Sequence, residues 1–478
     1  MPDDRPNILL IMTDQQRGDC LGVEGHPVLQ TPQMDELAGQ GTRFSRAYST
    51  CPVSIPARRS LMSGQFPATH GMVGYRDGVD WDPPATLPGE LAKAGYQTAI
   101  VGRNMHLHPV RKRYGFDQMV IQAGHLGRGD YERWLDAHQP AGAGGFMGGG
   151  VTNNDWTARP FHMADHLHPT HWTVNEALRY LEARDPSCPY FLVVSFAAPH
   201  PPFTPPAFYL ERYLRTGVPD PYIGDWCTRP QTDPPYAEHE NRVDSPIVNL
   251  TGEALLSARA GYYGLINHVD DQIRRILTPV GNPAGRNTVV LFTSDHGEML
   301  GDHYLFRKGQ PYEGSARVPL LVRGPAELGF GRGQVIDQPV CLEDIMPTCL
   351  DIAGAATPGS VEGRSLLPLL RGEQPLWRDY LHGEHSHGRS THSNHFLTDG
   401  RMKYVWLCHS GREQLFDLQA DPGECHNLAA LPERAEALTL WRSRLIEHLK
   451  DRPEGFSDGK QLVPGRPYEV LLPHAQAQ

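Results

Sequence analysis

The chain alternates between unbroken apolar runs and amphipathic segments. NILLIMTD, residues 7–14, is apolar from Ile8 to Met12 and polar at its last two positions. Such a run reads as a strand buried on both faces of a parallel sheet. TPQMDELAGQG follows, with Thr31 as N-cap, Pro32 at the first helical position and glycines at the stop, and predicts a helix. The alternation then repeats. LPGELAKAGY, HWTVNEALRYLEAR and LLSARAGYYGLINHVDDQIRRIL predict helices, and QTAIVGR, YFLVVSF and NTVVLFTSDHG predict strands. Together they predict a large α/β domain with a mostly parallel sheet and helices on both faces. Ligands of such sheets bind at the carboxyl ends of the strands. Asp14 and Asp295 both fall there, nearly 300 residues apart.

Two stretches interrupt the pattern. Residues 123–168 are rich in Gly, His and Asp, and are expected to form a long functional or mobile loop. Near residue 375 the alternation stops. HFLTDGRMKYVWL predicts a hairpin turning at Asp399-Gly400, and PERAEALTLWRSRLIEHL predicts a helix. The expected division is an α/β domain over 1–374 and a smaller α+β subdomain, with an antiparallel sheet and a helix, over 375–478.

Composition narrows the function. A net charge of −11 disfavours nucleic acid, which needs a basic face. A local cluster of cations can still hold a small anion. No run approaches the ~20 apolar residues of a membrane span. The start MPDDRPNILLIMTD carries no basic and apolar leader, so the expected location is cytoplasmic. Eight cysteines without a CxxC pair are expected to be reduced, mostly buried thiols.

The polar residues at the strand ends suggest chemistry. Asp14, Gln15, Asp295 and His296 would place two acids, an amide oxygen and an imidazole at adjoining ends, a fitting set for a divalent cation. Alternatively, Asp14 or Asp295 is a helix N-cap. Arg58, Arg103, His106, His200, Lys308 and Arg317 lie in short loops or at helix starts. Each alone reads equally as a surface charge; together with a metal they would neutralise a tetrahedral anion. In CPVSIPARRSLMSG, Pro56 suits a first helical turn, which puts Ser54 at the positive end of a helix and Cys51 further out.

SIPARRSLMSGQFPATHG resembles the signature of the sulfatase family, in the alkaline phosphatase superfamily. Aligned on Pro56, Arg58, Leu61 and Gly64, the signature cysteine falls on Ser54. RPNILLIMTDQQR, TPQMDELAGQGTRFSRAYS, APHPPFTPP, TSDHGEMLGDH, YEGSARVPLLV, DIMPTCLDIAG and LFDLQADPGECHNLA match the family in order and spacing. The resemblance implies an alkaline-phosphatase-like fold and hydrolysis of a sulfate ester. It implies that residue 54 is oxidised to formylglycine by a maturation enzyme and acts as an aldehyde hydrate. Asp14, Gln15, Asp295, His296 and the modified Ser54 would hold the metal, Ca²⁺ first and Mn²⁺ as the alternative. Arg58 would fix the hydrate, and Lys308 and His200 the substrate anion. His106, with His108 as rival, and Arg103 would occupy the place of a Gly-Lys-x-His element.

Three departures stand out. Gln15 replaces a usual Asp, His296 a frequent Asn, and Tyr75 stands where some relatives have an anion-binding Asn. Ser54 itself has three readings: a natural serine that is oxidised, a serine substituted for cysteine, or an unmodified serine acting on a phosphate-type ester. The rival functions are a phosphonate monoester or phosphodiester hydrolase and a non-catalytic binder of sulfated ligands. The expected partner is a small sulfated carbohydrate or aryl ester, and self-association is open. The histidine-rich run LHGEHSHGRSTHSNH is read as an exposed strand and loop, or as a rim of the pocket.

Overall fold

The computed structural model describes residues 4–104, 108–123, 128–228, 245–281, 287–388 and 392–476. Its strands in chain order are β1 (Asn7–Asp14), β2 (Thr42–Phe44), β3 (Ala47–Tyr48), β4 (Gln97–Arg103), β5 (Gln118–Gln122), β6 (Tyr190–Pro199) and β7 (Thr288–Ser294). Then come β8 (Leu320–Arg323), β9 (Gln334–Ile336), β10 (Val340–Cys341), β11 (Leu381–His385), β12 (Asn394–Thr398), β13 (Met402–Leu407) and β14 (Arg412–Asp417). The main sheet runs β5-β4-β6-β1-β7-β8-β2-β9. β5, β4, β6, β1 and β7 are mutually parallel, and β8 is antiparallel to both of its neighbours.

β1 lies at the centre, and its side chains alternate between two cores as a strand period of two requires. Ile8, Leu10 and Met12 join a core with Ala57, Leu61, Ile345 and Met346. Leu9 and Ile11 join another with Tyr262, Ile266, Val269 and Ile273 of the helix Gly252–Gly281. Both faces are covered, which is why the run carries no alternation of polarity. The fold is the predicted α/β sandwich.

Parallel pairing sets the site. Thr13 pairs with Ser294, and Met12 and Gly102 both pair with Ser195. The carboxyl ends of β1, β4, β6 and β7 therefore share one edge, carrying Asp14, Arg103, His200 and Asp295 with them.

The antiparallel sheet β11-β12-β13-β14 follows. Asp399 Oδ1 accepts from the Arg401 and Met402 amides, both at 2.8 Å, and Gly400 takes a φ of 78° that suits glycine. One sheet face packs Leu397, Tyr404 and Trp406 against Trp441, Leu445 and Leu449 of the helix Ala435–Leu449. The other packs Phe396, Val405 and Phe416 against Tyr48, Met299 and Tyr312. Because both faces are covered, the described histidines at 385 and 395 are buried. At those two positions the exposed reading does not hold; residues 389–391 of the run lie outside the described residues.

The 123–168 segment is also more structured than its composition suggests. It carries the helix Asp130–His138, whose Tyr131 and Leu135 pack with Phe161, Leu167 and Trp172 in a small core of their own. Residues 124–127 lie outside the described residues.

Candidate active site

The helix Ser54–Ser63 opens at Ser54 and is buried along its whole length. It aims Arg58 at the strand ends. Arg58 Nη2 donates to Asp14 Oδ2 at 3.1 Å, Nε to Asp295 Oδ2 at 2.9 Å, and Nη1 to Ser195 Oγ at 3.1 Å. One planar guanidinium thus joins β1, β6 and the residue after β7. Arg103, the last residue of β4, adds a second contact to Asp14 Oδ2 at 2.6 Å.

With Oδ2 of each aspartate engaged by arginine, the Oδ1 atoms face His296 Nε2, at 3.9 Å from Asp14 and 3.6 Å from Asp295. His296 Nδ1 lies 2.9 Å from the Gly297 carbonyl. A carbonyl only accepts, so Nδ1 carries the proton and Nε2 presents a lone pair. Burial holds the imidazole below its ordinary pKa, against the nearby Asp295 charge. Ser54 Oγ is 3.1 Å from that Nε2.

Asp14, Asp295 and His296 bring ligand atoms within 4.8 Å of one another, and all three are buried. Among the described residues no other three His, Cys, Asp or Glu side chains do so. Two carboxylate oxygens and an unprotonated ring nitrogen fit one divalent cation. Gln15 stands beside this trio. Its amide hydrogens point to Glu298 and its oxygen accepts from Lys308 Nζ at 2.6 Å. Lys308 is half-buried, and desolvation brings its ammonium down to about 8. His200 is buried, with Nδ1 2.6 Å from the Pro201 carbonyl, and burial holds its pKa well below the usual value.

Charge decides what the site can accept. Asp14, Asp295 and Glu298 are matched by Arg58, Arg103 and Lys308. A divalent cation added to this balanced set makes the site positive, which suits an anionic substrate.

The other expected residues lie outside the trio itself, Tyr75 within reach of the charges on Arg103 and Asp14. Tyr75 is 40% exposed and its hydroxyl donates to Asp77 at 2.9 Å. His108 is half-exposed near Asp80. Arg317 is engaged by Glu24 and the Ser45 carbonyl, away from the trio. His106 lies outside the described residues. Cys51 is buried, and burial raises its thiol well above the usual pKa, so it is no thiolate. Ser195 and Glu298 escaped the sequence reading: a serine within a strand and a glutamate two residues past His296 carry no signal until their partners are known.

Comparison with known proteins gives a consistent answer. The sulfatase family model matches residues 6–355, and the model of the C-terminal part of N-sulphoglucosamine sulphohydrolase matches residues 301–451. The chain is 42% identical to an arylsulfatase of Clostridium perfringens (strain 13 / Type A), over 98% of this chain and 99% of that one. The chain belongs to the sulfatase family.

This sulfatase is also 29% identical to a multifunctional alkaline phosphatase superfamily protein of Trinickia caryophylli, over 95% of this chain and 99% of the relative. Its fold superposes on a phosphonate monoester hydrolase of Agrobacterium radiobacter with a TM-score of 0.80 and 29% identity, covering 93% and 95% of the two chains. The sulfatase therefore shares the alkaline phosphatase superfamily scaffold, and hydrolysis of sulfate esters is its class of reaction.

Proposed function

We propose that the chain hydrolyses sulfate monoesters of aryl or carbohydrate alcohols, at a formylglycine made from Ser54 by a maturation enzyme. One divalent cation would be held by Asp14, Gln15, Asp295 and His296. The observation that carries this reading is the convergence of Ser54 Oγ, 3.1 Å from His296 Nε2, on the buried Asp14–Asp295–His296 trio. The similarity to an arylsulfatase along nearly the whole chain supports the aryl class.

When present, the cation and the aldehyde hydrate supply an acidified hydroxyl and a route for sulfate to leave without attack by a second water. The chain's own residues do the rest. Arg58 spans both aspartates and so fixes the spacing of their Oδ1 atoms. Arg103 and Lys308 supply positive charge in a site from which water is largely excluded, where such charge acts strongly on a sulfate oxygen. Lys308 holds the substrate anion, together with His200 once the substrate's negative charge favours its protonation, one of them beside the leaving oxygen as acid. Ca²⁺ is the first candidate; the His296 nitrogen makes Mn²⁺ the alternative.

A second reading has its own support. The Agrobacterium hydrolase acts on phosphonate monoesters and shares this scaffold. Sulfate monoesters and phosphonate monoesters both present a singly charged group, so the same cations would serve either. Comparing kcat/KM for a nitrophenyl sulfate and a nitrophenyl phenylphosphonate separates them. The sulfatase reading predicts the larger value for the sulfate; phosphonate turnover a hundredfold faster would overturn it.

A further inference from the structure

Gln15 is held almost completely before its side chain is considered. It sits in the left-handed region with a φ of 75°, its amide donates to Asp295 Oδ1 at 3.0 Å, and its carbonyl accepts from the Tyr262 hydroxyl at 2.7 Å. What the backbone leaves open is which end of the carboxamide faces which neighbour. The two ends have nearly the same shape and opposite hydrogen-bonding character.

Two charged groups decide it, one buried and one half-buried. Glu298 is 1% exposed. One of its oxygens accepts from the backbone amides of Leu300, at 3.0 Å, and Arg307. The other accepts from Gln15 Nε2. On the opposite side Lys308 Nζ, which only donates, lies 2.6 Å from Gln15 Oε1. An acceptor-only carboxylate and a donor-only ammonium therefore flank the amide, and a single orientation satisfies both.

We propose that Glu298 is a positioning residue: it turns the Gln15 oxygen toward Lys308 and the cation, and so makes glutamine workable at position 15. The backbone amides of Leu300 and Arg307 pin the carboxylate, so it cannot turn away from Gln15. A carboxylate at position 15 would meet that of Glu298 directly, both lacking a proton to share unless one is protonated. Position 298 thus carries the negative charge that position 15 lacks, behind the groups that face the cation. The part that concerns the cation rests on the function proposed above; the pairing itself does not.

The test compares a charge-removing variant with a double variant that restores the charge on the other side of the pair. In Glu298→Gln, the new amide keeps its oxygen on the Leu300 and Arg307 amides and presents its NH₂ to Gln15. Gln15 must then turn over, placing its own NH₂ against Lys308. In the double variant Gln15→Glu/Glu298→Gln, the carboxylate now at position 15 accepts both from the new amide at position 298 and from Lys308. Melting temperature is measured in excess chelator, and Ca²⁺ and Mn²⁺ affinities by calorimetry. E298Q should melt several degrees lower and bind the cation at least tenfold more weakly, with the double variant regaining both to within threefold in affinity. If chelated E298Q melts like wild type, or the double variant melts no higher than E298Q, the positioning role is overturned. A wild-type protein that binds neither cation while the melting pattern holds would refute the proposed function and leave the pairing standing.

Discussion

Ser54 Oγ lies 3.1 Å from His296 Nε2 although 242 residues separate them. The contact follows from topology: β1 and β7 are parallel neighbours, and the helix from Ser54 lays Arg58 across the residues at their ends. The distance also places the hydroxyl beside the Asp14–Asp295–His296 trio, the candidate cation site. The other nitrogen of His296 is spent on a backbone carbonyl. That arrangement is unlike a serine–histidine–aspartate triad, in which a carboxylate takes that position.

Asp295 contacts Arg58 and belongs to the proposed cation site, so Asp295→Asn is expected to weaken divalent cation binding and turnover together, each by at least tenfold. Metal content after dialysis and the initial rate on an aryl sulfate check this. Wild-type values for both would remove Asp295 from the site.

Arg58 is fully buried between two buried carboxylates. Arg58→Ala leaves those charges facing each other, and loss of one member of a buried pair costs about 3–5 kcal/mol. Urea unfolding should show that loss in chelator and a smaller one with saturating Ca²⁺, because the cation takes over part of the neutralisation. An equal loss in both conditions would contradict the shared role of arginine and cation.

Cys51 is expected to be chemically silent. Its thiol is buried and its pKa raised, so Cys51→Ala should keep kcat within about threefold of wild type. Loss of activity in a folded C51A protein would return the cysteine to the reacting groups.

Several histidines are buried and neutral. Burial lowers His70, His168 and His395 to about 3, from an ordinary value of 6.5. The unfolded chain takes up protons below pH 6.5 that the folded chain refuses. Stability is therefore complete above that pH and falls as the solution is acidified toward pH 3. At pH 5 each such histidine costs about 2 kcal/mol. Urea unfolding of the cation-free protein at pH 7 and pH 5 should show a drop of several kcal/mol, and equal stability at the two would contradict it.

Much of the architecture was legible from the run of residues. NILLIMTD and NTVVLFTSDHG are buried on both faces, so apolarity alone marked them as central strands, and the polar residues that end them marked the site. Arg58 was legible through the resemblance of SIPARRSLMSG to the sulfatase signature, which also singled out Ser54. What the sequence hid depends on pairings across the chain. Ser195 anchors Arg58 only because β6 lies beside β1. Glu298 matters through a contact with Gln15, 283 residues away. His385 and His395 looked exposed because polar residues normally are; a sheet covered on both faces buries them anyway. The long glycine-rich segment looked like a loop because its aromatic residues, from Tyr131 to Phe161, form a core with Trp172 of the following helix only once it folds back.

The central claim is that residue 54 reacts after conversion of serine to formylglycine. Its most direct test is the mass of the peptide containing residue 54, taken from a preparation whose aryl sulfatase activity is measured in the same sample. Conversion removes two hydrogens, about 2 Da. A fraction of converted peptide that rises in proportion to specific activity is the predicted result; a fully active preparation carrying only unmodified serine would contradict it.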